Sequence, residues 1–172
     1  MSARPAPELV RLVRELDEAR DAFLAALDDV DPTLLDAPGL VGDWSGRQLL
    51  GHMAGWAEHA GDALAAAARS AADEFGDEGL DVEALNAQMA RTDAAAPLAE
   101  LRIRESAAAT RLREALEAAD PAWLEERVAY GDSLLQVIRD DAADHYREHT
   151  ADIRAWFAAG ADEDEAEHED EA

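Results

Sequence analysis

Apolar residues return at every third or fourth position through four long stretches of this chain, a spacing that fits amphipathic helices and little else. In the first stretch, Leu9, Leu12, Leu16, Phe23, Leu27 and Val30 trace a single face. Alanine, leucine, glutamate and arginine dominate, and aromatic residues make up only 5% of the sequence. Such a composition favours helix nearly throughout. The expected fold class is all-α, with proline and glycine clusters dividing the chain into its pieces.

The first helix runs from Pro7, which suits a first turn, to about Val30, where Asp31-Pro32 stops it. Thr33 to Trp44 connects it to the second helix. Ser45 is that helix's N-cap, and Gln48 three residues later completes a capping box. Trp44 and Leu49 hold the positions of a hydrophobic staple. Leu49, Met53, Trp56, Ala60 and Leu64 mark one face of a helix expected to reach about Phe75. A crossover from Gly76 to Ala96 carries a short helix over Val82 to Arg91. The third long helix runs from Pro97 to about Ala119, and Ala122 to Tyr130 forms a turn or an extended piece. Asp132 or Ser133 caps the fourth, which runs to about Phe157 with Gly160 as its stop. Four long helices, with a longer crossover between the second and third, imply a four-helix bundle over residues 1–160. The acidic residues 161–172 read as a disordered tail in which His168 is incidental.

Cysteine is absent, which excludes disulfides, thiolate metal sites, cysteine nucleophiles and iron–sulfur clusters. No apolar run is long enough to span a membrane, and the first residues lack the apolar core of a secretion signal, so a cytoplasmic protein is expected. The formal charge is −25, with every base an arginine. A chain so acidic is expected to repel phosphate backbones and anionic lipid, so neither nucleic acid nor membrane is expected as a partner.

Chemistry concentrates in the histidines. His145 and His149 lie within the stripe of Leu135, Ile138, Ala142, Ile153 and Trp156, about 40° apart around the helix axis. Two inward imidazoles at this spacing can grip one metal ion. They can equally be core histidines hydrogen-bonded to acids such as Asp141 or Asp152. His52 lies at the border of the second helix's buried face, roughly 70° from its centre. His59 falls about 10 Å further along the axis, and the favoured reading is an edge histidine facing water. Gly51 and Gly55, flanking His52 inside a helix, give room for either a ligand or a neighbouring helix to approach.

The run from Gly42 through Trp44, Ser45 and His52 to Trp56 resembles the second-helix signature of the DinB-like superfamily. Asp144 to Ile153, with its His-x-x-x-His spacing, resembles that superfamily's last-helix element. Both segments are similar to the ClbS/DfsB branch and, more loosely, to the mycothiol-dependent maleylpyruvate isomerase branch. The resemblance covers about Pro7 to Phe157. It implies a four-helix bundle, commonly dimeric, with one divalent ion (Zn, Ni, Fe or Mn) on three histidines. Carried over to this chain, those ligands are His52, His145 and His149.

Three neutral imidazoles leave coordination positions open, as catalytic rather than structural sites do. The expected function is therefore a metal-dependent enzyme acting on a small molecule. It would be a hydrolase, or a transferase or isomerase using a low-molecular-weight thiol. Asp141, Glu148 and Asp152 are candidate bases or partners of the imidazole N–H groups, and Asp152 is the best placed by angle. Two alternatives stay open: a binding or toxin-sequestration protein without turnover, and a vestigial metal-free bundle.

Overall fold

The computed structural model describes residues 6–76 and 79–170, the last ten as backbone only. Every long helix begins where local chemistry supplies a start. Helix α1 (Pro7–Asp28) has proline in its first turn. Helix α2 (Gly46–Ala68) opens on the expected capping box. Gln48 N–H donates to Ser45 Oγ at 3.2 Å, and Ser45 N–H donates to Gln48 Oε1 at 2.9 Å. Asp81 caps the crossover helix α3 (Val82–Asp93), and α4 (Leu98–Ala118) follows Pro97. Of the two candidates for the last cap, Ser133 is the one used, ahead of α5 (Leu134–Ile138). A π turn over Arg139–Ala143 leads directly from α5 into α6 (Asp144–Asp170).

The bundle closes as a ring. Helix α1 packs on α4 and α6, and α2 packs on α4 and on the α5–π segment. The apolar stripes meet at the centre, where Phe23, Leu27, Leu49, Met53, Leu112 and Ile153 are buried. No strand forms among the described residues. The extended piece expected near Arg127 is limited to a single bridge to Ser133.

Three boundaries differ from the sequence reading. Helix α2 stops at Ala68, short of Phe75. Ser70 N–H bonds the Ala67 carbonyl and Ala71 N–H bonds the Ala66 carbonyl, the pattern of a Schellman stop, with Ser70 at φ 57°. A serine occupies the left-handed position where glycine would have announced the end. The fourth long helix is interrupted by the π turn, which has no sequence symbol. Its backbone also continues through Gly160 to Asp170, because one glycine costs only about 1 kcal/mol in a run of helix formers. Of the tail expected over 161–172, residues 171–172 and all the side chains lie outside the described ones.

The crossover is pinned to the bundle. A Cβ on Gly51 would stand 2.4 Å from Asp93 Oδ2, and one on Gly55 2.5 Å from Met89 Sδ. These glycines therefore make room for α3. Arg104 of α4 donates to Asp93 at 2.6 Å and to Glu58 at 2.7 Å, linking α3 and α2. Arg47 donates to the carbonyls of Asp93, the last residue of α3, and of Ala94 and Ala96 beyond it. Held in this way, the crossover supplies an outer wall to the histidine cluster.

Candidate metal centre

Helix α2 contributes His52 and α6 contributes His145 and His149. One nitrogen from each of these rings lies within 4.8 Å of the others. His52 Nε2 and His145 Nε2 are 2.9 Å apart, and the ring centroids are separated by 4.7 to 5.1 Å. Two nitrogens bound tetrahedrally to one ion at about 2.0–2.1 Å lie ~3.3 Å apart, so the cluster is close enough for one cation to be shared.

Electrostatics favours the uncharged rings that a metal requires. Burial, then the neighbouring His145 and His149, pushes the His52 pKa down to about 2. Burial, then His149, pushes His145 down to about 4. Both rings are neutral at pH 7. His149 Nδ1 lies 3.0 Å from Asp152 Oδ2, and its Nε2 is buried with no partner among the described residues. If Nδ1–H donates to Asp152, the tautomer is set and Nε2 keeps its lone pair for the cluster. Nδ1 of His52 is likewise buried and unpaired.

The cluster opens on a cavity of about 540 Å³. Trp44, just ahead of α2, packs against the core that holds Leu49 and also meets the His52 ring in a T-shaped contact at 4.4 Å. Trp56 lines the cavity and donates its indole N–H to Asn86 of α3 at 2.9 Å. Asp152 reaches the cluster only through His149, whereas Asp141 and Glu148 line the cavity directly.

His59 does not face water as expected. Its side chain is 14% exposed, and Nδ1 lies 2.7 Å from Asp141 Oδ2. Its partner comes from the π turn, so the spacing of α2 alone could not reveal the pair. Burial raises the Asp141 pKa, and the hydrogen bond with His59 works against that rise.

A family model, the Mycothiol maleylpyruvate isomerase N-terminal domain, matches residues 13–154. No curated protein matches the chain by sequence. A crystal structure of an uncharacterised protein from Escherichia coli UTI89 superposes with a TM-score of 0.74 at 13% identity, covering 89% of this chain and 94% of that one. An uncharacterised protein from Clostridium difficile 630 gives 0.71 at 14% identity, over 90% and 98%. The colibactin self-resistance protein ClbS, in complex with a double-stranded DNA, gives 0.72 at 16% identity, over 86% and 93%. At these identities the likeness establishes a shared fold. The ClbS complex overturns the expectation of no nucleic-acid partner, since a protein of this fold holds a DNA duplex. That expectation summed charge over the whole chain, whereas contact depends on a local surface. Among the described residues, no helix is long and apolar enough to cross a membrane.

Proposed function

Because the chain belongs to the mycothiol maleylpyruvate isomerase N-terminal domain family, within the DinB-like superfamily, we propose that it is a metal-dependent enzyme acting on a small molecule. His52, His145 and His149 hold one divalent ion in this reading. The observation that carries it is His149 Nε2, a buried nitrogen with no partner among the described residues, set beside the neutral rings of His52 and His145. An unsatisfied buried nitrogen is costly, and a cation shared by the three rings would answer it. The donor set is all imidazole, which suits Zn, Ni, Fe or Mn to differing degrees.

When bound, a divalent ion supplies Lewis acidity that polarises a substrate oxygen or thiol. The chain's own residues do the rest. Asp152 holds the His149 ring in its tautomer and is a positioning residue. Asp141, kept in place by His59, presents a carboxylate on the cavity wall. Trp44 and Trp56 make the cavity partly apolar, which strengthens polar contacts inside it. The reaction class is hydrolysis, or transfer or isomerisation with a low-molecular-weight thiol as co-substrate.

The test is elemental analysis of untagged protein, paired with turnover of electrophilic metabolites before and after chelation. Wild type is expected to carry about one divalent ion per chain and His149→Ala none, with chelation abolishing turnover. Equal metal in both proteins would contradict the ligand assignment. Turnover indifferent to chelation would contradict metal catalysis.

A further inference from the structure

The cavity beside the histidines has carboxylates on its wall. Asp132, Asp140 and Glu148 stand there exposed. In so acidic a chain, exposed acids on any surface carry little information. Asp141 differs, because it is only 7% exposed and still lines the cavity. Removing a carboxylate from water is costly unless something answers its charge or its lone pairs. His59 answers one oxygen, Oδ2, at 2.7 Å. The other oxygen takes no hydrogen bond from the described residues. No arginine lines this cavity among the described residues, although the chain has fifteen bases, all arginine.

His59, 2.7 Å away through Nδ1, fixes the carboxylate's orientation and leaves its second oxygen free toward the cavity. An anion entering the cavity meets four carboxylates. A cation finds one oriented carboxylate, three more at the wall, and the aromatic surfaces of Trp44, Trp56 and Tyr130. Carboxylate and aromatic ring together are the chemistry that receives ammonium and guanidinium groups.

We propose that the cavity takes a small molecule bearing a cationic nitrogen, seated against Asp141, with His59 as the residue that orients this carboxylate. The inference rests on reading the cavity as the substrate site and names the class of substrate. Asp141 stands on the cavity wall apart from the three rings, so the cationic nitrogen is a different part of the substrate from the group that reacts at the histidines.

Butylguanidinium is a suitable probe, since it is permanently charged and a poor metal ligand, and pentanoate is its anionic counterpart. Both are titrated calorimetrically into zinc-loaded and metal-free wild type. On metal-free protein, butylguanidinium is expected to bind about tenfold or more tightly than pentanoate. Asp141→Asn is expected to lose about tenfold in butylguanidinium affinity while keeping its zinc content, and His59→Gln to lose less. Equal or tighter pentanoate binding to the metal-free protein overturns the proposal. So does no detectable butylguanidinium binding at millimolar concentration, or unchanged binding to Asp141→Asn. If circular dichroism shows that Asp141→Asn fails to fold, the wild-type comparison decides alone. Failure of the metal reading looks different: the cation preference persists while wild type holds no more zinc than His149→Ala.

Discussion

Two of the polar clusters that the bundle buries are built on opposite principles. In one, Arg20 of α1 donates Nε–H and Nη2–H to the two oxygens of Glu105 on α4, each at 2.8 Å. Tyr146 of α6 donates its hydroxyl to Glu105 Oε1 at 2.6 Å. Glu105 is 1% exposed and Tyr146 fully buried, and these contacts answer both carboxylate oxygens and the phenol. Burial, then the neighbouring Glu105, raises the Tyr146 pKa well above its ordinary value, so the phenol keeps its proton and remains a donor. The other cluster is the histidine triad, with two buried nitrogens unanswered among the described residues and a cavity beside it. A closed network ties helices together and asks for nothing further. The open one is less completely buried and, in the proposed reading, is where the molecule receives an ion.

Breaking the closed network should cost the most. Glu105→Ala leaves Arg20 and the Tyr146 hydroxyl without their acceptor, with an expected loss of about 3–5 kcal/mol in denaturant unfolding. Zinc content of the folded fraction should not change, because the network does not touch the histidines.

The open cluster should reveal itself through pH. His52 and His145 have folded-state pKa values of about 2 and 4, below the ordinary 6.5. The unfolded chain therefore binds their protons first. Their contribution to stability is complete above pH 6.5 and is lost as pH falls, down to about 4 for His145 and about 2 for His52. Each histidine accounts for up to ~1.4 kcal/mol per pH unit within its window. Metal-free protein should lose stability steeply between pH 6.5 and 4, and His145→Ala should flatten that slope. An identical slope in the variant would refute the assignment.

A smaller effect separates positioning from ligation. Asp152→Asn should leave the fold intact and weaken zinc affinity about 10–100-fold, the usual effect of removing a ligand's hydrogen-bond partner. Unchanged affinity would show that His149 needs no help with its tautomer. The smallest prediction lies away from both clusters. Ser70→Gly, at φ 57°, should raise stability by roughly 0.5–1 kcal/mol in thermal or denaturant melts by relieving the left-handed strain.

Much of the fold was legible because short-range chemistry announces it. Ser45 with Gln48, Pro7, and the stripes of α1 and α4 could each be read within a few residues. The end of α2 was hidden because serine does the work of glycine at position 70. The π turn was hidden because nothing local distinguishes Arg139–Ala143 from ordinary helix. That turn matters to the site, since it contains Asp141, and without it His59 reads as a surface residue. His145 and His149 stood out because they interrupt an apolar stripe on one helix. Their meeting with His52 depends on two helices lying at matching depths, which residue spacing does not encode. It entered the sequence reading only through the family resemblance. Gly51 and Gly55 were ambiguous for a similar reason, because the helix they admit, α3, lies some thirty residues away.

Whether the three rings share one cation decides between a metal centre and a packed histidine cluster. A crystal grown with zinc and measured on both sides of the zinc absorption edge tests this directly. The predicted result is a single anomalous peak about 2.0–2.1 Å from one ring nitrogen of each of His52, His145 and His149. A difference map with no peak among these rings, or a peak bonded to only one of the two helices, would contradict it.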